Sequence, residues 1–222
     1  MANESTYDCA PLHEPASPEK ELSTLSKLSL TQSWLPQPEP RFHPASASIA
    51  WTPSHLYIYV ELADIDIFNT TQGLNESANQ KGDIVEILLR PTKSDAYFEF
   101  QVTPHNQILQ LRFPSRQSIA DFRQSGGTIE SLIASYAVPV PLIETQTWLA
   151  PEENRWSVLI KIPASALTDA AQPLSPADSF LLSIGRYDHT RGESEPILSS
   201  TSPHPVRDFH RQEEWTRLSL KP

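Results

Sequence analysis

Twenty-one of the 222 residues are proline and only six are glycine, roughly double the usual share of the first and under half that of the second. Proline lacks a backbone N–H and holds φ fixed, which bars it from helix interiors and from central strands. A chain interrupted this often has room for short extended runs joined by rigid connectors. Long helices have little room.

The residues between the prolines carry the matching period. Residues 55–63 alternate Leu56, Ile58, Val60 and Leu62 with Tyr57, Tyr59 and Glu61. Residues 83–90 set Val85, Ile87 and Leu89 opposite Ile84, Glu86, Leu88 and Arg90. Residues 96–103 set Phe98, Phe100 and Val102 opposite Tyr97, Glu99 and Gln101. Further runs lie at 107–114, 128–138, 155–163, 179–188 and 214–221. Short β-branched and aromatic runs bounded by Pro, Asn, Asp and Ser read as strands. About eight to eleven of them predict an all-β fold, an antiparallel β-sandwich of jelly-roll or immunoglobulin-like kind. One or two short helical turns complete it, the clearest at 163–168.

A chain of this length suits one large domain. The first 45 residues hold seven prolines and six acidic against three basic residues, with Leu22, Leu25, Leu28 and Leu35 set among Ser and Thr. They read as a proline-rich arm at 1–45 that docks Trp34 and Leu35 onto a sandwich domain at 46–222. Neither a basic start nor an apolar stretch follows Met1, so with Met1 as the native start a cytoplasmic protein is expected. The sequons Asn69-Thr70-Thr71 and Asn75-Glu76-Ser77 carry no meaning in a bacterial cytosol.

A formal net charge of −10 has the wrong sign for general nucleic-acid binding. No run of about 18 apolar residues is present to span a bilayer. The lone Cys9 rules out an internal disulfide and a cysteine-built zinc site. Catalytic signatures such as G-x-S-x-G, H-E-x-x-H and a phosphate loop are missing. Glu86, Glu99 and Gln101 converge on one polar sheet face if their strands pair. Such a face is either ordinary solvated surface or the floor of a groove for a polyhydroxylated ligand. Residues 186–217 carry five of the eleven arginines, with His189, His204 and His210. They read either as a cationic loop for an anionic ligand or as loop staples, and the six acids among them favour staples.

The order of these runs resembles the family 9 carbohydrate-binding modules. The family's D-x-V-E-I strand is similar to Asp83-Ile84-Val85-Glu86-Ile87, its W-x-V-E-x-x-I-P strand to residues 156–163, and its closing strand to residues 215–220. The likeness covers about residues 46–220. It implies a sandwich that holds a sugar ring between aromatic side chains while charged and amide groups bind its hydroxyls. Under that resemblance Glu86 and Gln101 are hydroxyl-binding residues and Arg186 is structural or lines the site. Gln80 stands where the first stacking tryptophan belongs, and Ile197-Leu198-Ser199 occupies the neighbourhood of the second. Tyr187 and His189 are the candidate replacements. The five tryptophans present read as core residues.

The resemblance also implies structural calcium, for which Asp64, Asp66 and Asn69 offer oxygen ligands at a strand exit; the same residue types also cap turns. The expectation is a non-catalytic carbohydrate-binding protein with a sugar as partner and neither nucleic acid nor membrane. The alternative is a sandwich that has lost its sugar slot and serves protein–protein contact or assembly. A glycan hydrolase is a third, weaker reading.

Overall fold

The computed structural model describes residues 5–13 and 17–222; Met1, on which the expectation of a cytoplasmic location turns, lies outside them. In chain order the strands are β1 (Thr6–Pro11), β2 (Leu28–Leu30), β3 (Ala45–Trp51), β4 (His55–Ala63), β5 (Ile84–Pro91) and β6 (Tyr97–Val102). They continue with β7 (Ile108–Phe113), β8 (Glu144–Ala150), β9 (Arg155–Pro163), β10 (Ser179–Asp188), β11 (Ile197–Ser200) and β12 (Thr216–Leu220). The helices are α1 (Pro18–Leu22), α2 (Ser118–Gln124), α3 (Ile129–Tyr136) and α4 (Ala164–Leu167).

Alternation puts one face of each run into a shared interior, and that interior lies between two sheets. One sheet runs β7-β6-β5-β10-β12, with β11 on the second half of β10; the other runs β3-β4-β9-β8, with β2 on β3. Neighbours within each are antiparallel. The exception is β1, which pairs parallel with β12 through residues 6–9 and then parallel with β3 through Ala10 and Pro11. The N-terminal strand thus joins the two sheets along one side. Ile49, Ile58, Ile87, Phe100, Ile160 and Leu182 pack between the layers, all fully buried. The fold is the expected all-β sandwich.

The structure corrects the expectation of a strand at 128–138. Ile129, Leu132, Ile133 and Tyr136 recur at three- and four-residue steps, which is a helical stripe, and they form α3. Thr128 caps it by accepting from the Ser131 backbone N–H, while Ser131 returns a bond from the Thr128 N–H. Helices α2 and α3 lie over the outer face of the first sheet. Ile119 and Leu132 pack there on Leu88, Tyr97, Leu111 and Phe113. That face consequently carries a second buried layer. On the other sheet α1 seals a smaller cluster of Leu12, Leu22, Ala50, Tyr57 and Leu159.

Candidate functional site

Strand register assembles the site. Glu86 on β5 pairs directly with Gln101 on β6, and Glu99 stands two residues along β6 on the same face. Gln101 Nε2 donates to Glu86 Oε2 at 3.2 Å and to Glu99 Oε1 at 2.8 Å, so one amide bridges two carboxylates. The three side chains are 3%, 4% and 1% exposed for Glu86, Glu99 and Gln101. Burial, and then the charge of Glu99, drives the Glu86 carboxyl well above its ordinary range. Burial likewise raises Glu99, against the Gln101 hydrogen bond. Among the described residues, Gln101 Oε1 has no hydrogen-bond partner.

Above this floor lies a cavity of about 280 Å³, bounded by Tyr187, Leu198, Phe209 and His210 and roofed by Phe122, Arg123 and Ile129. Gly185 faces Glu86 across β10. A Cβ there would sit 2.6 Å from a ring carbon of Phe209, so glycine is what lets that ring lie against the strand. Phe209 and Tyr187 meet edge to face at 5.8 Å. Arg123 of α2 donates Nη1 and Nη2 to the two oxygens of Asp208, at 2.9 and 3.2 Å. This fork ties the helical roof to the loop before β12. Burial pulls Asp208 up, but the Arg123 hydrogen bonds and charge win and leave it below its ordinary value. His210 stands 3.1 Å from the Tyr97 hydroxyl through Nδ1 and 3.5 Å from Glu99 Oε2 through Nε2. Burial and then Arg123 push its imidazole down to about 4, so the ring is neutral at pH 7.

Three of the residues expected at a sugar site, Glu86, Gln101 and Tyr187, line this cavity. Gln80 does not: it is exposed on the single turn Ala78–Gln80, accepts from Ser77 Oγ at 3.1 Å, and leaves its neighbour Asn79 to reach the cavity. His189 turns to the Asn79 carbonyl, 3.1 Å from Nε2, and packs its edge on Phe68. Arg186 points the opposite way from Tyr187, as alternation requires, and is 1% exposed between the sheets. Alternation places Glu99 on the polar face with Glu86 and Gln101, but the resemblance assigns hydroxyl binding to Glu86 and Gln101 alone; the structure sets Glu99 in the cavity floor beside them. Arg123, Asp208 and Phe209 come from a helix and a loop whose approach leaves no local mark.

Arg186 belongs to a separate cluster. Carboxylate oxygens of Asp64, Asp83 and Asp188 lie within 4.8 Å of one another. Arg186 Nη2 stands 3.1 Å from Asp64 Oδ2 and 3.2 Å from Asp188 Oδ1. Trp156 Nε1 donates to Asp64 Oδ2 at 3.2 Å, and His43 Nδ1 meets Asp188 Oδ2 at 2.9 Å. Asp83 accepts the Phe68 and His189 backbone N–H groups at 2.7 and 2.8 Å. Burial, then the charge of Asp64, pushes its carboxyl up to about 8. The guanidinium thus stands against two of the three acids.

The set Asp64, Asp66 and Asn69 is not assembled for calcium. Asn69 spends its amide on the Ala78 and Asp83 carbonyls and on the Thr71 N–H. Asp66 accepts from the Arg191 backbone and guanidinium. The acids that do come together are Asp64, Asp83 and Asp188, with Arg186 against two of them and Asp188 Oδ1 without a hydrogen-bond partner among the described residues.

The molecule is thus a two-layer β module with a polar pocket under a helical roof. Solved structures share this architecture. A candidate carbohydrate-binding protein from Bacteroides uniformis superposes with a TM-score of 0.73 at 15% identity, over 98% of this chain and 100% of its own. A family 9 carbohydrate-binding module from Caldicellulosiruptor kristjanssonii in complex with cellotriose gives 0.64 at 12% identity, over 98% and 94%. The same kind of module in complex with glucose gives 0.58 at 13% identity, again over 98% and 94%. The chain has the fold of the family 9 modules. No family model matches the sequence, and no curated protein does.

Proposed function

We propose that this protein is a non-catalytic carbohydrate-binding domain that takes one sugar ring, or the end of a sugar chain, in the pocket above Glu86, Glu99 and Gln101. The observation that carries this reading is the floor itself: buried acceptors, one without a partner, beneath the rings of Phe209, Tyr187 and Phe122. Vicinal hydroxyls are donors that satisfy such acceptors, and the weakly apolar C–H faces of a pyranose pack on aromatic rings. A cavity of about 280 Å³ stands at the lower end of the roughly 300–1,000 Å³ usual for small-ligand sites, which suits a single ring better than a long chain. Two neighbouring folds were solved with cellotriose and with glucose, which supports a sugar as the partner.

The pairing of the carboxylates supports a role without turnover. Glycoside hydrolysis needs two carboxyls that flank the bond being cut, about 5–10 Å apart with substrate between them. Glu86 and Glu99 instead stand side by side with the Gln101 amide between them.

Calorimetry against mono- and disaccharides, and xylo- and cello-oligosaccharides, tests the reading. Binding is expected for single rings or short chains and is expected to vanish in Glu86→Ala combined with Gln101→Ala. Absence of binding at millimolar sugar would remove it and return the scaffold alternative.

A further inference from the structure

We propose, resting on the pocket being a sugar site, that its ligand carries a protonated amine: an amino sugar with a free ammonium group placed on the Glu86–Gln101–Glu99 floor. The floor is nearly all acceptor. Its one amide donor group, Gln101 Nε2, already serves both carboxylates. Gln101 Oε1 is 99% buried with its residue and lacks a partner among the described residues. An ammonium brings three donors and a positive charge to such a place, whereas hydroxyls bring donors alone.

Charge separates the amine from a neutral sugar. Among the described residues, neither Glu86 nor Glu99 has an ion pair with lysine or arginine; the neutral His210 is the basic group in contact with Glu99, and the charge of Arg123 reaches both carboxyls from the roof without bonding to either. Arg123 is committed through both Nη atoms to Asp208, and Arg207 donates to the Pro196 carbonyl. The remaining polar groups around the floor include the Tyr97 and Tyr187 phenols, the Asn79 amide and Thr128, none of them a cation. Two buried carboxyls without a cation are costly when ionised, and they are relieved by a proton or by a positively charged guest. A uronic acid would add a third negative charge and is disfavoured.

The consequence is proton-linked binding. Burial raises both carboxyls, so an ammonium that pairs with them is expected to displace a proton, whereas a neutral sugar is not. Isothermal titration with glucosamine, N-acetylglucosamine, glucose and glucuronic acid reads this, in two buffers of different ionisation enthalpy and at a pH where the amine is charged. Glucosamine is expected to bind at least about tenfold more tightly than the others and to release protons. Glu99→Gln, isosteric and checked by its melting curve, is expected to lose the preference and the proton release. Glucose or N-acetylglucosamine binding as tightly as glucosamine would overturn the inference and leave the sugar site standing. Failure of all four sugars to bind would overturn both.

Discussion

Arg186 on one sheet reaches Asp64 at the end of a strand of the other, 3.1 Å from Nη2 to Oδ2 with both side chains 1% exposed. The contact ties β10 to the segment after β4 through the interior. It offsets part of the charge of a cluster of buried acids that the apolar core cannot solvate.

Arg186→Met is therefore expected to leave Asp64, Asp83 and Asp188 without their cation. Removing one partner of a buried pair costs about 3–5 kcal/mol, read as a lower midpoint in urea. Calcium is expected to raise the melting temperature of this variant and to leave the wild type unmoved, as would EGTA. A wild-type melting curve that shifts with either reagent would contradict the assignment of the guanidinium as the resident cation.

The buried acids should cost stability as pH rises between about 4 and 8. Asp83 is pushed up to about 8 in the fold against about 3.9 in an unfolded chain. Below the unfolded value both states hold the proton. Above it only the native state does, so its stability declines until the folded value is passed. Glu86 and Glu99 are raised too and add in the same direction. His204 and His210 act oppositely: burial lowers both, and stability is lost as pH falls below about 6.5. Unfolding midpoints from pH 4 to 9 should show a maximum on the acid side of neutrality. Glu99→Gln should flatten the alkaline limb.

Gly185→Ala should close or distort the pocket from behind. The new methyl would lie 2.6 Å from Phe209, a ring only 4% exposed. Overpacking of this kind costs about 1–3 kcal/mol. Ligand affinity is expected to fall with it, read by calorimetry on the folded variant.

Arg123→Gln should release the roof with little effect on global stability, since the pair with Asp208 is partly exposed and such pairs contribute up to about 1 kcal/mol. Faster hydrogen exchange across α2 and quicker ligand dissociation are expected together. Unchanged exchange would show that apolar contacts alone hold the roof.

Periodicity settled much of this molecule before any contact was known. Alternation along residues 83–90 and 96–103 placed Val85 and Phe100 inward and Glu86 and Gln101 on the opposite face, because a strand's side chains alternate whatever it packs against. The same rule sets Arg186 opposite Tyr187, yet Arg186 was grouped with the sugar residues on resemblance. The stripe of Ile129, Leu132, Ile133 and Tyr136 was equally readable and passes for a strand only when its three- and four-residue spacing is ignored.

What the tertiary structure alone decided is where the polar face ends up. Local pattern tells which residues share a side but not what covers that side, because cover depends on segments distant in the chain. Residues 118–136 fold over the sheet, and Phe209 arrives from a loop more than a hundred residues beyond Glu99. Their arrival turns a solvated row of carboxylates into a dry floor, and the removal of water gives those groups their altered protonation and their demand for a partner.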